Sequence, residues 1–137
     1  MSSQIIAGQL DGLRSPSSQS LVALHELRAQ ADAMTDAVLT GQLHRVGPLL
    51  EDGWRRKRST ASGISTPLID RIHDAALQAG ATGAKVSGAG GGGFMMLACP
   101  GLTRHRTADV LARFGGRVHP VRFSIEGVTT WMPSWAP

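Results

Sequence analysis

The chain has 137 residues, a formal net charge of +4 at pH 7 and a single cysteine, Cys99. This length suits one domain, so we expect residues 1–137 to form a single domain rather than a complete two-lobed enzyme. A lone cysteine excludes an internal disulfide, and MSSQIIAGQL at the start lacks the basic and then apolar pattern of a secretion signal. No apolar run is long enough to cross a bilayer. The sequence therefore predicts a cytoplasmic protein without membrane contact, whose positive charge suits an anionic partner.

Two helices are predicted in the first part of the chain. Residues 11–20 are rich in turn and cap formers, and apolar residues then recur at helical spacing over residues 21–38, with Gly41 able to end the helix. A second apolar stripe covers residues 43–54 and continues into the basic string at residues 55–58. The second helix is therefore expected to end in a cationic turn.

A third helix is predicted over residues 68–79. Ser65 or Thr66 can cap its N-terminus, Pro67 is tolerated in a first turn, and Gly80 can end the helix.

The rest of the chain predicts strands around one further helix. A strand precedes the glycine-rich turn, and the short apolar run FMMLAC at residues 94–99 predicts a buried strand after it. Thr103 is the expected cap of a fourth helix that reaches Phe114. Residues 117–125 alternate as an edge strand does, and residues 126–131 predict a last strand. The predicted fold class is α+β, with helices packed on one face of a small antiparallel sheet.

The glycine-rich segment KVSGAGGGGF admits several interpretations. Gly88, Gly90 and Gly93 match the spacing G-x-G-x-x-G, but a dinucleotide loop needs a helix after its third glycine, and here a strand is predicted. No Gly-Lys-Ser/Thr follows, which excludes a Walker A loop, and a linker would join domains rather than strands. A hairpin with packing value alone stays open. Surplus glycine, at a cost of about 0.5–1 kcal/mol each, favours close approach of a ligand to the backbone.

The segment GAKVSGAGGGGFMML at residues 83–97 resembles the third, C-terminal motif of the GHMP kinase superfamily. Within that superfamily the chain most resembles the D-glycero-D-manno-heptose 7-phosphate kinase branch. The further matching features are SSQII near the start, the W-x-x-K of Trp54 to Lys57, SGISTPLID at residues 62–70, and the tail at residues 115–131. The resemblance extends over nearly the whole chain.

This resemblance implies a ferredoxin-like C-terminal domain of an enzyme that transfers the γ-phosphoryl group of ATP to a small molecule. In the heptose branch the acceptor is the anomeric hydroxyl of a heptose 7-phosphate. The family's nucleotide loop, P-x-x-x-G-L-G-S-S, belongs to an N-terminal domain and does not occur in this sequence. We therefore expect ATP and Mg²⁺ to bind mainly to such a domain, no catalytic residue in this chain, and little or no activity of the isolated chain.

The resemblance also implies which residues shape the site. The glycine loop would present backbone N–H groups to an anion, bordered by a lysine and a serine. The basic string is expected to place Lys57 on the remote phosphate of a sugar phosphate. Plainer roles stay open: a solvated lysine at a strand end, a turn hydroxyl and a solvated helix end. The candidate binding residues are Lys57, Lys85, Ser87, Gly88, Ala89, Gly90, Gly91, Gly92 and Gly93.

The expected partners are a sugar-phosphate substrate and either a separate N-terminal kinase lobe or a second copy in a homodimer. The competing hypothesis is a stand-alone binding or oligomerisation module that kept the fold without the chemistry. A nucleic-acid binder is disfavoured because interleaved aromatic residues and known signatures are missing. The histidines lack the spacing of metal ligands, so we expect no metal site and only solvated or capping roles for them.

Overall fold

A computed structural model describes residues 6–7 and 18–131 of the chain. Within this part, four helices pack with a two-stranded antiparallel sheet, which confirms the predicted α+β class. The elements are α1 Ser18–Leu39, a 3₁₀ turn Leu43–Arg45, α2 Val46–Arg58, α3 Pro67–Gln78, β1 Gly83–Val86, β2 Met95–Ala98 and α4 Thr103–Ala112. Apart from Ile6, the SSQII stretch lies outside the described residues.

Local sequence signals set most of the helix ends. Gly41 and Gly80 adopt left-handed φ values of 70° and 109° just beyond α1 and α3, as predicted. The Thr66 hydroxyl accepts a hydrogen bond from the Ile69 N–H at 3.2 Å and caps α3. The predicted cap of α4 is wrong by one residue. Thr103 is already helical, and its hydroxyl donates to the Pro100 carbonyl at 2.8 Å instead of capping the helix.

Helix α2 lies against β1 at backbone distance because glycines meet at the contact. A methyl group on Gly83 would overlap the carbonyl oxygen of Gly47, and one on Gly47 would overlap the Thr82 hydroxyl. Both glycines are buried. The helix and the strand therefore approach more closely than any larger side chains would allow.

Two side chains of α2 also contact polar backbone groups of β1. Glu51 Oε2 lies 3.4 Å from the Ala84 N–H, and Lys57 Nζ lies 3.4 Å from the Val86 carbonyl oxygen. The same Glu51 oxygen lies 2.8 Å from Nε2 of His73, which is only 4% exposed on α3. The solvated or capping role predicted for His73 is wrong, because this ring is buried and joins α3 to α2.

The apolar core forms two clusters, and α3 contributes residues to both. The first lies beneath the glycine loop and the second lies between α3, α4 and β2. The first cluster contains Trp54, Ile64, Ile69 and Val86, with Ala61, Ala89 and Met95 packed against it. The second contains Ala76, Ala81 and Leu111, with Ile72, Leu77, Leu97, Cys99 and Phe114 packed against it.

The strands predicted at residues 117–125 and 126–131 are not formed, so these two predictions are wrong. The pairing is β1 with β2 alone, in a register that runs from Gly83 opposite Ala98 to Val86 opposite Met95. Residues 117–131 are exposed throughout, and Phe123 retains 82% of its surface. An alternating pattern gains stability only when a paired neighbour covers one face. Because β2 has one neighbouring strand, Met96 is 43% exposed, and the strand predicted to be buried is only half-buried.

We expect Gly83→Ala to destabilise the domain by about 3 kcal/mol or more, because the added methyl group meets the α2 backbone, which cannot rotate away. Gly116→Ala is the matched control, since a methyl group there meets no atom within 4 Å. Urea unfolding followed by tryptophan fluorescence measures both changes. Equal stability of the two variants would contradict the close packing of α2 on β1.

Candidate functional site

The glycine loop joins β1 to β2 as an irregular hairpin. The Ser87 N–H donates to the Phe94 carbonyl at 2.8 Å and closes the loop. Its five glycines all have left-handed or related φ values, namely Gly88 73°, Gly90 111°, Gly91 74°, Gly92 148° and Gly93 94°. Residues with a side chain rarely adopt these values. Because β2 and not a helix follows Gly93, the loop also lacks the geometry of a dinucleotide site.

The centre of the loop is anchored on the segment before α3. Ala89 packs against the first core cluster, and a methyl group on Gly90 would lie 2.8 Å from the Ile64 carbonyl oxygen. The same oxygen accepts a hydrogen bond from the Gly91 N–H at 2.9 Å. These three loop residues are therefore held by the protein itself. Sequence reasoning missed Ile64 as the anchor, although it lies within the SGISTPLID stretch that carried part of the resemblance.

The ends of the loop, in contrast, are open. Gly88, Gly92 and Gly93 are exposed, and methyl groups on them would meet no atom within 4 Å. Within the described residues their N–H groups donate to no protein acceptor. Successive free N–H groups at glycines of this conformation form the kind of concavity that binds anions.

An apolar cleft of about 250 Å³ lies beside the open end of the loop. Phe94 stands at its rim with 72% of its surface exposed. The cleft is lined by the first turns of α3, by part of the loop and by the start of β2. Its lining residues are Thr66, Leu68, Ile69, Ile72, Val86, Gly91, Gly92, Gly93, Phe94 and Met95.

Lys57 lies at the entrance of the loop, in the last turn of α2. Its Nζ donates to the Gly88 carbonyl and lies 3.4 Å from the Val86 carbonyl. Burial lowers the pKa of Lys57, and the positive charge of the neighbouring Lys85 lowers this pKa further. The structure thus brings together Lys57, Lys85 and Gly88, three residues that the sequence singled out separately.

The other members of the basic string are neutralised. Each arginine meets at least one carboxylate, and the guanidinium of Arg58 also lies 5.8 Å from the centre of the Trp54 ring. The hydrogen bonds that Arg56 donates to Asp52 and then to Glu26 raise the pKa of Arg56. The ion pairs are Arg55 with Asp52 at 3.2 Å, Arg56 with Asp52 at 2.8 Å and with Glu26, and Arg58 with Asp70 at 3.2 Å.

Lys85 and Ser87 border the loop on the β1 side. Lys85 is half-buried opposite Met96 in the sheet, and no carboxylate of the described residues pairs with Lys85 or Lys57. Ser87 is exposed, and its hydroxyl makes no hydrogen bond within the described part of the chain. The polar groups that this face offers a ligand are therefore lysine ammonium groups, one hydroxyl and backbone N–H groups.

No group of three or more His, Cys, Asp or Glu side chains in the described ranges is arranged to hold a metal ion. Among the same residues, no helix combines the length and apolar character needed to span a membrane.

Alanine variants of two loop glycines distinguish the anchored centre of the loop from its open part. Gly90→Ala and Gly93→Ala both place a side chain at positive φ, a strain of about 1–3 kcal/mol. Only Gly90→Ala also meets the Ile64 backbone, so we expect the larger loss of unfolding free energy there. Urea denaturation of both variants tests this. A Gly93→Ala variant at least as unstable as Gly90→Ala would contradict the anchoring.

Replacing Lys85 with glutamine is expected to raise the pKa of Lys57 towards the ordinary lysine value of 10.5. The unfolded chain keeps the Lys57 proton to higher pH than the folded domain, so the free energy of unfolding rises between the lowered pKa and 10.5. Lys85→Gln should narrow this pH range, because it brings the pKa of Lys57 in the folded domain closer to that in the unfolded chain. Titration of the lysine ¹³Cε signals measures the pKa, with Arg55→Gln as a control that leaves it unchanged. No rise in Lys85→Gln would contradict the coupling.

Three proteins that are similar to this chain are each named as a kinase. It is 30% identical over 113 residues to the D-glycero-alpha-D-manno-heptose 7-phosphate kinase of Campylobacter jejuni, covering 82% of this chain and 33% of the relative. It is 43% identical over 68 residues to the mevalonate kinase of Pyrococcus abyssi, covering 50% of this chain and 20% of that enzyme. A Bacteroides fragilis L-fucokinase/L-fucose-1-P guanylyltransferase is 32% identical over 81 residues, covering 59% of this chain and 8% of that protein.

The chain thus spans about a third or less of the length of these relatives. The family described as GHMP kinases C terminal matches residues 22–116, a range that contains all four helices except the start of α1, both strands and the glycine loop. The resemblance stated from the sequence is confirmed, and the chain belongs to the family of GHMP kinase C-terminal domains.

Proposed function

We propose that this chain is the C-terminal domain of an ATP-dependent sugar-phosphate kinase whose acceptor is a heptose 7-phosphate. The observation that carries the proposal is that, at the open ends of the glycine loop, the N–H groups of Gly88, Gly92 and Gly93 have no acceptor among the described residues. The name of the Campylobacter jejuni relative supports the choice of substrate. Heptose specificity and the role of the loop are both parts of this proposal.

The loop suits phosphoryl transfer because that reaction depends mainly on positioning and on stabilising negative charge. Its anchored centre fixes Ala89, Gly90 and Gly91 on the Ile64 segment, so the free N–H groups on either side need little ordering when an anion binds. Backbone donors of this kind stabilise negative charge most strongly when they are already positioned before the ligand binds.

ATP fits this arrangement through its phosphate oxygens, which would accept hydrogen bonds from the open N–H groups. Mg²⁺ would arrive with the nucleotide, because the described residues offer no cluster of carboxylates to hold it. The loop likewise carries no side chain able to act as a catalytic base. We therefore assign the base and most of the ATP and Mg²⁺ binding to an N-terminal kinase lobe, and no catalytic residue to this chain.

The proposed partners are the sugar phosphate and either a separate N-terminal kinase lobe or a second copy of this chain in a homodimer, in the cytoplasm. The alternative is a non-catalytic binding or oligomerisation module. The apolar cleft favours this alternative in one respect, because Leu68 and Phe94 at the cleft are 50% and 72% exposed. Exposed apolar surface of this kind often marks a contact with another protein.

A pair of matched glycine variants tests the loop. Gly88 and Gly115 have φ values of 73° and 76°, and a methyl group on either meets no atom within 4 Å. Both alanine variants therefore carry the same backbone strain, but only Gly88→Ala lies in the loop. We expect MgATP and heptose 7-phosphate to shift the amide NMR signals of Gly88–Gly93 saturably, and Gly88→Ala alone to weaken this binding about tenfold.

The competing outcomes are distinct. Equal binding by wild type, Gly88→Ala and Gly115→Ala would show that the loop is not the site. No binding of either ligand, together with a concentration-dependent dimer in analytical ultracentrifugation, would support the stand-alone module. Phosphoryl transfer by the isolated chain would contradict the assignment of catalysis to another lobe.

A further inference from the structure

The charges around the glycine loop are distributed unevenly. Each arginine of the basic string has a carboxylate partner, whereas Lys57 and Lys85 have none among the described residues. The two lysines nevertheless lie close together, because the Lys57 ammonium is 3.4 Å from the carbonyl oxygen of Val86, the residue that follows Lys85. The local excess of positive charge is therefore concentrated at the entrance of the loop.

The hydrogen bonds of Lys57 leave part of its ammonium group available. A lysine ammonium has three N–H donors. Two of those of Lys57 are directed at the carbonyls of Val86 and Gly88, which fixes the head group at the point where β1 becomes the loop. A third donor remains for a ligand. Because Gly88 is the first open glycine, an anion at this donor would lie beside the free N–H groups of the loop.

We propose that Lys57 and Lys85 together bind the phosphate group that the acceptor already carries, and so select phosphorylated sugars over neutral ones. This inference rests on the proposed function for the identity of the acceptor, but the phosphate site itself follows from the two lysines. Lys57 also positions Gly88 through its carbonyl, so that occupancy of the site and the conformation of the loop are linked.

A phosphate monoester matches this pair better than a carboxylate does. It carries about 1.5 to 2 negative charges at pH 7 and three acceptor oxygens, which suffices for two ammonium groups at once. A carboxylate brings one charge and would leave the other lysine unneutralised. The lowered pKa of Lys57 supports the same conclusion, because an anion between the lysines would relieve both the burial and the repulsion that cause the lowering.

The test uses the full 137-residue chain, with glucose 6-phosphate, inorganic phosphate and glucose as probes at constant ionic strength. We expect both phosphates to shift the lysine ¹³Cε signals saturably and to raise the pKa of Lys57, whereas glucose does neither. Lys57→Gln and Lys85→Gln should each weaken glucose 6-phosphate binding about tenfold, the loss typical of one charge-assisted contact. Lys57→Arg, which keeps the charge, should recover part of the affinity.

Arg55→Gln is the matched control. It removes one positive charge from the same turn of α2, its side chain is 63% exposed, and Asp52 keeps Arg56 as its partner. Binding should change less than twofold. Lys85→Gln leaves the contacts of Lys57 with the loop carbonyls in place, so it tests the site even if Lys57→Gln perturbs folding, which circular dichroism monitors.

Equal weakening by Arg55→Gln and the two lysine variants would overturn the proposal in favour of diffuse attraction, and so would equal binding of glucose. Tighter binding of inorganic phosphate than of glucose 6-phosphate, with no contribution from the sugar, would reduce the site to a general phosphate site and overturn the selection of acceptors. Phosphate binding that needs both lysines, in a chain whose loop ignores MgATP, would sustain the lysine site while defeating the kinase proposal. MgATP binding at the loop without phosphate binding that depends on the lysines would overturn the lysine site and leave the kinase proposal in place.

Discussion

The close contact between Gly47 and Gly83 determines where the functional groups of this domain lie. With no side chains between them, α2 runs beside β1 at backbone distance. Residues at helical spacing from Gly47 then face the strand in turn: Glu51 reaches the Ala84 N–H, Trp54 enters the first core cluster, and Lys57 reaches the Val86 carbonyl. A wider separation of α2 and β1 would withdraw Lys57 from the loop. The packing of a helix on a strand is thus what places a cation at the site.

The glycine loop has two kinds of glycine, which differ in what surrounds them. Gly90 is required for packing, because Ile64 occupies the space of a side chain. Gly88, Gly92 and Gly93 have free space around them and are required for their backbone conformation alone. The packing interpretation therefore applies to Gly90, and the ligand-binding interpretation is our proposal for the other three. The anchored part supplies rigidity to the part that is exposed.

The elements that the sequence predicted correctly are those fixed by local chemistry. The cap at Thr66 and the stops at Gly41 and Gly80 depend on residues within a few positions of the helix end. The strands predicted at residues 117–131 are not formed. An alternating pattern of apolar and polar residues is compatible with a strand, but it does not show whether a partner strand is present. β1 and β2 formed because a short loop brings them together. The exposed tail has no such local partner.

The candidate site shows the same division between local and long-range information. The sequence identified the glycine loop and the basic string, but it could not distinguish Lys57 from the arginines next to it. That distinction depends on Glu26, Asp52 and Asp70, of which only Asp52 is near in sequence. Folding brings these carboxylates to the arginines and leaves the lysine facing β1.

Among the described residues, the three arginines of the basic string have carboxylate partners and the two lysines beside the loop have none, so that electrostatic repulsion is concentrated at the lysines. Such repulsion lowers the stability of the free domain and raises its affinity for an anion by the same interaction, since the ligand removes it. The open N–H groups of Gly88, Gly92 and Gly93 would also favour an anion, because they have no acceptor in the part of the chain that the structure describes. In the site that we propose, lysine charge and backbone donors would therefore both favour the binding of phosphate groups.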